Sequence, residues 1–143
     1  MSETDFEAEC DAIREQNDVL LEQFALWLSK SGLSEKTVLK HVDNVAFYIS
    51  DYLLREEPTQ PEDGVDDIGW FLGDWFIRKA LWTSQASIKG YAASFKKFYG
   101  FMLEQGRIDD EALDELKQEI KEEMPDWLEN LRRFDDVDWD DFT

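Results

Sequence analysis

The chain has 143 residues, 34 Asp+Glu against 15 Lys+Arg, and a formal net charge of −19. That length holds one domain with short extensions, and an aromatic content of 14% excludes a fully disordered acidic chain, which would be aromatic-poor. One cysteine, Cys10, excludes an intrachain disulfide, and a single histidine leaves no basis for a His/Cys zinc site. The apolar runs are a few residues long, far short of a membrane span. No apolar run follows a basic region at the N-terminus, so no signal peptide is expected. The seven glycines are scattered and form no phosphate-binding loop. The expectation is a cytoplasmic protein without metal or cofactor.

The apolar residues recur at helical spacing, and no period-2 run of β-branched residues is present, so the chain reads as all-α. In the first segment, Phe6, Cys10, Ile13, Asn17, Leu20, Phe24 and Trp27 follow each other at steps of four and three. This is either one long helix or an N-terminal extension over 1–16 followed by a helix that Asn17 or Asp18 caps. A heptad-like stripe of this length fits packing on the chain's own core, with a coiled-coil dimer as the alternative. Cys10 reads as a small buried apolar residue. Gly32 suits a helix C′ position.

Ser34 is the expected N-cap of the second helix, which runs to about Leu54 with Val38, Val42, Val45, Ala46, Ile49, Tyr52 and Leu53 on one face. Lys36, Lys40, Asp43 and Phe47 fall on the other. Residues 56–67 hold two prolines, a glycine and no basic residue, and read as a loop. Asp66 or Asp67 starts a third helix to about Leu81, with Ile68, Phe71, Leu72, Trp75 and Phe76 inward. Its Gly69 and Gly73 weaken helix propensity by about 1 kcal/mol each relative to Ala, and their spacing offers another helix a close approach. Trp70 and Trp82 lie off the apolar stripe.

Thr83 or Ser84 starts the fourth helix. Ile88, Tyr91, Ala92, Phe95, Phe98, Tyr99 and Met102 make its inner face, which places Tyr91 and Tyr99 in the core; Lys89, Ala93, Lys96, Lys97 and Gly100 make the outer one. Gly106 ends it. A fifth helix covers about 110–123 with Leu113, Leu116 and Ile120 inward, and Pro125 suits the first turn of a short sixth carrying Trp127, Leu128, Leu131 and Phe134. Residues 135–143 read as an acidic tail. The organisation is thus an acidic extension over 1–16, a helical bundle over 17–108, C-terminal helices over 109–134 and the tail.

The charge is unevenly spread. Residues 1–30 carry −6, 57–67 carry −5 and 108–143 carry −11, whereas 31–56 carry −1 and 68–107 carry +4. The Debye length is about 8 Å at physiological salt, so a locally basic face survives at close range on an acidic molecule. The pairs Asp109/Asp110 and Glu122/Glu123 read as solvated helix-end charges, and no nucleophile–base constellation is visible.

The runs Leu20-Leu21-Glu22-Gln23-Phe24, Gly32-Leu33-Ser34-Glu35-Lys36-Thr37 and Phe47-Tyr48-Ile49-Ser50-Asp51-Tyr52-Leu53, together with Ser87 through Met102, resemble the N-terminal core-binding domain of phage-integrase-type tyrosine recombinases. The resemblance covers about residues 17–108. It implies a SAM-like bundle of four to five main helices, here with a short C-terminal helix and acidic tail, whose second and fourth helices face the major groove of duplex DNA. By position it assigns DNA contact to Lys36, Thr37, Lys40 and His41 on the second helix and to Lys89, Lys96 and Lys97 on the fourth, with Ala93 as the small residue between Lys89 and Lys96. The family favours Arg in the fourth helix. Lysine meets phosphate as a point charge and reads guanine less well, which implies non-specific contact. The family's catalytic domain is absent: about 35 residues follow the bundle, with no Tyr and no His among them. The chain is therefore expected to be non-catalytic, as a free module or as a fragment of a longer recombinase. Expected partners are duplex DNA and a recombinase catalytic subunit or basic protein, with no membrane. The alternative is an acidic protein-interaction module that binds a basic partner or antagonises DNA binding. A tail folded back onto the lysines, in the place of DNA, is a further expectation.

Overall fold

The computed structural model describes residues 3–140, and the side chains as far as Asp135. It is an all-α bundle, with no strand among the described residues. We label the helices α1 (Glu3–Lys30), α2 (Glu35–Ala46, continued by a π-helical stretch Phe47–Tyr52), α3 (Ile68–Trp70, a π-helical stretch Phe71–Trp75, then Phe76–Lys79), α4 (Gln85–Glu104) and α5 (Asp110–Asp140); a 3-10 turn, Pro61–Asp66, precedes α3.

Four of the expected start and stop signals act as such, whereas Asp67 precedes α3 without a side-chain cap. Gly32 and Gly106 take φ of 95° and 74°, the left-handed region that ends α1 and α4. Ser34 accepts from the Thr37 amide and caps α2. Ser84 and Ser87 form a reciprocal capping box at α4.

Between the two readings of the first segment, the structure takes the single helix. Asn17 is mid-helix and only 1% exposed. Its Nδ2 donates to the Ile49 carbonyl and to Ser50 Oγ, both at 3.2 Å, and Arg14 Nε donates to the Ser50 carbonyl. These acceptors lie in the π stretch, where each N–H reaches five residues back, as Leu53 does to Tyr48. The same device recurs on α3, where Asn130 of α5 donates to the Gly73 carbonyl of the second π stretch at 3.1 Å. Each wide turn thus has a carbonyl held by an asparagine from the helix beside it.

The first π stretch corrects one expectation. Phe47, placed on the outer face by spacing alone, packs inward against Phe71, Trp75, Trp82 and Tyr91. The extra residue in the turn rotates the face enough for Phe47 to pack, half-buried, beside the enclosed Tyr48, Ile49 and Tyr52.

A second correction concerns Pro125. The helix expected to stop before it and restart there is continuous over Asp110–Asp140, with Pro125 inside. Leu116, Ile120, Trp127 and Leu131 are all buried in the main core. Their helical register passes through the proline unbroken, so burial on both sides opposes the break that Pro favours. The helix also takes in the first residues of the expected tail; the side chains beyond Asp135, and with them the fold-back onto the lysines, lie outside the described set.

One core serves all five helices, from Leu20 and Phe24 on α1 to Leu131 on α5. Cys10, Ile13 and Leu54 form a small satellite against the outer half of α1. Tyr91 and Tyr99 are core residues, as expected, and Tyr99 donates to the Pro61 carbonyl at 2.9 Å. The close approach offered by the α3 glycines is used by α5. A Cβ on Gly73 would stand 2.6 Å from Trp127 Cδ1, and one on Gly69 would stand 3.1 Å from Glu119 Oε2.

Candidate nucleic-acid interface

The lysines lie on α2 and α4, which pack directly on each other. The contact is polar at its centre. His41 of α2 is 9% exposed, and its Nδ1 shares a 2.7 Å hydrogen bond with Ser94 Oγ of α4. Asn44 Nδ2 donates to the same oxygen at 3.1 Å, and Ser94 Oγ donates to the Gly90 carbonyl at 3.0 Å. Gly90 faces Lys40, whose Cε is 3.9 Å from where a glycine Cβ would stand. Gly90, Ser94 and Lys97 therefore form the α4 stripe against α2.

Lys40 and Lys97 reach His41 from opposite helices. Burial lowers the His41 pKa below the ordinary histidine value, and the charges of Lys97 and Lys40 lower it further. Lys36 is exposed one turn before Lys40, and Lys89 and Lys96 are exposed one residue outside the Gly90–Lys97 stripe. Lys96 and Lys97 are thus not equivalent: the first points out to solvent and the second is half-buried at the seam. Thr37 serves the α2 cap, its amide donating to Ser34 Oγ and its Oγ1 accepting from it.

Of the seven residues named from sequence, Lys40 and Lys97 lie near enough to His41 for their charges to act on its ring, while Lys36, Lys89 and Lys96 are exposed on the same two helices. His41 is a buried seam residue with one edge outward. Ser94, Asn44 and Gly90 were not singled out from sequence. Ser94 sits within the apolar run of α4, and the only signal was a polar residue where the stripe asked for an apolar one.

The arginines contrast with these lysines. Arg14, Arg78, Arg107, Arg132 and Arg133 are ion-paired to Asp11, Asp74, Glu62 and Glu129, and the Arg55 guanidinium lies 3.9 Å from the Tyr52 ring centroid. Among the described residues, no ion pair joins Lys36, Lys40, Lys89, Lys96 or Lys97 to a carboxylate. The face is not free of acid: a shallow depression on α2 places Glu35 and Asp43 beside Lys36 and Lys40.

A second surface lies between α3 and α5. A groove of about 450 Å³ is lined by Trp70 and Trp127 with Asp74, Glu119, Glu123 and Asp126. Burial there raises the Glu119 pKa, Glu123 and Asp66 raise it further, and the Gly69 amide opposes them. Among the described residues no cluster of His, Cys, Asp or Glu is arranged to hold a metal ion, and no helix is long and apolar enough to cross a membrane.

Comparison with protein-family models, characterised proteins and solved structures returns no match.

Proposed function

We propose that the chain is a non-catalytic DNA-binding module of the core-binding, SAM-like type, acting in or alongside site-specific recombination. One observation carries the reading: five of the nine lysines gather across the α2–α4 seam, with no carboxylate partner among the described residues, in a molecule whose arginines are all engaged internally. Unpaired ammonium groups on adjoining helices suit a phosphate backbone, and lysine without bidentate geometry suits contact that ignores sequence. The N-terminal part of the motif resemblance falls on α1 and α2, and the rest on α4; α2 and α4 carry the five lysines of the seam. The test is titration of a labelled duplex at about 20 mM salt, where screening is weak, with the double substitution Lys96→Glu and Lys97→Glu. Binding that the substitution abolishes supports the reading; no binding at that salt removes it.

The groove between α3 and α5 favours a second reading, an acidic surface that takes a basic protein segment. Trp70, exposed beside Glu123 and Asp126, offers a stacking surface and counter-charge to an arginine side chain. An arginine-rich peptide that binds native protein but not Glu123→Lys would support it, and equal binding to both would remove it.

A further inference from the structure

We infer that Lys40, His41 and Lys97 form a single phosphate-binding point whose occupancy takes up a proton on His41. The inference rests on the DNA-binding reading and names the residue that makes it pH-dependent.

Ser94 orients the His41 ring. Its hydroxyl has one hydrogen and two lone pairs. The hydrogen goes to the Gly90 carbonyl, and Asn44 Nδ2 donates into one lone pair. With the hydroxyl hydrogen on the Gly90 carbonyl, the remaining lone pair faces His41 Nδ1 at 2.7 Å, and we assign Nδ1 as the donor that carries the ring hydrogen. Nε2 is then a bare lone pair in the neutral ring. Tyr52 is the residue among those described whose buried polar side-chain atom lacks a partner. His41 Nε2 has no partner among the described residues and is not fully enclosed, so it keeps an edge accessible to solvent.

The charged groups that act on the ring are Lys40 from its own helix and Lys97 from α4; α1, which also packs against α2, contributes none. In the free protein both ammonium groups oppose a proton on the ring. A phosphate oxygen between them reverses this balance. Its charge offsets the two lysines, and its lone pairs are repelled by a bare Nε2 but accept from a protonated one. The ring can take the proton without rearrangement, because Nδ1 already donates to Ser94 and the new hydrogen is added at the open edge. Gly90 leaves room for the Lys40 stem beside α4, since even a Cβ there would be only in contact distance of it.

The chain has one histidine, so its imidazole resonances report this site alone. The experiment is a proton NMR titration of native protein across pH 5 to 8, alone, with a saturating short duplex, and with inorganic phosphate, paired with duplex affinity at pH 5.5 and 7.5. The expected result is that duplex moves the His41 midpoint upward and binds more tightly at the lower pH, by up to about tenfold for each pH unit by which the midpoint moves. His41→Gln should bind duplex with a flattened pH dependence, its fold checked by circular dichroism. A midpoint raised by inorganic phosphate but not by duplex would support the phosphate point and overturn the DNA reading. Duplex binding with an unmoved midpoint would overturn the inference and leave the DNA reading standing. No movement with either ligand overturns the inference.

Discussion

Asn17 shows how much one polar side chain fixes in this bundle. Its amide is buried and ties α1 to the π stretch after α2 through Ile49 and Ser50. Asn17→Ala leaves the buried Ile49 carbonyl and the part-buried Ser50 hydroxyl without this donor, and should lower unfolding free energy by about 1–3 kcal/mol in urea denaturation; Asp18→Ala, one residue on and exposed, should change it little. From sequence, Asn17 is equally a helix cap, because capping and buried bridging ask for the same short amide. What decides between them is the partner 32 residues away, which no local pattern reveals. His41 is ambiguous in the same way: it stands beside exposed lysines in the chain yet turns into the seam. Its lowered pKa also has a consequence for stability. A folded-state value below the unfolded one means that the unfolded chain binds the proton more readily. The neutral ring's contribution is therefore complete above the ordinary histidine value of about 6.5 and is lost as pH falls below it. Native protein should lose stability relative to His41→Gln as pH falls below about 6.5, read as a falling difference in melting temperature.

At the scale of helices, spacing was a sound guide wherever one residue type has one job. Ser34, Ser84, Gly32 and Gly106 all end or begin helices as their chemistry demands. The apolar stripe of α4 is buried residue for residue. The π stretches were not legible, because one extra residue in a turn shifts the register by less than the width of an apolar stripe; only Phe47 betrays the shift. Nor was the continuity of α5, since Pro125 fits the first turn of a new helix and the interior of an old one under different packing. The glycines of α3 provide the sharpest test at this scale. Gly73→Ala pushes a Cβ to 2.6 Å from the Trp127 ring and should cost about 1–3 kcal/mol by overpacking. Gly100→Ala meets nothing within 4 Å and should instead stabilise by about 0.5–1 kcal/mol through helix propensity. Equal effects of the two in thermal unfolding would contradict the close α3–α5 contact. Pro125→Ala should raise the melting temperature, because it restores an N–H donor and removes a helix penalty of about 3 kcal/mol.

For the whole molecule, the net charge of −19 and the lysine face are compatible because they occupy different places. The acid is concentrated in α1, the loop before α3 and α5, while the segment containing α3 and α4 is net positive. Fold class and the lysine-bearing faces were legible in one dimension, since both follow from helical spacing and charge counts. The meeting of Lys40, His41 and Lys97 was not, because it depends on α2 and α4 packing side by side. Such a molecule should bind DNA with a steep loss of affinity as salt rises, each lysine–phosphate contact adding to the slope. Long-range repulsion from the acidic helices should make association slower than for a uniformly basic domain of this size. The most direct measurement is the salt dependence of duplex affinity, from about 20 to 150 mM, for native protein and for the Lys96→Glu, Lys97→Glu variant. The account predicts binding at low salt that weakens steeply with salt and is lost in the variant; absence of binding at the lowest salt, or equal binding by the two proteins, would contradict it.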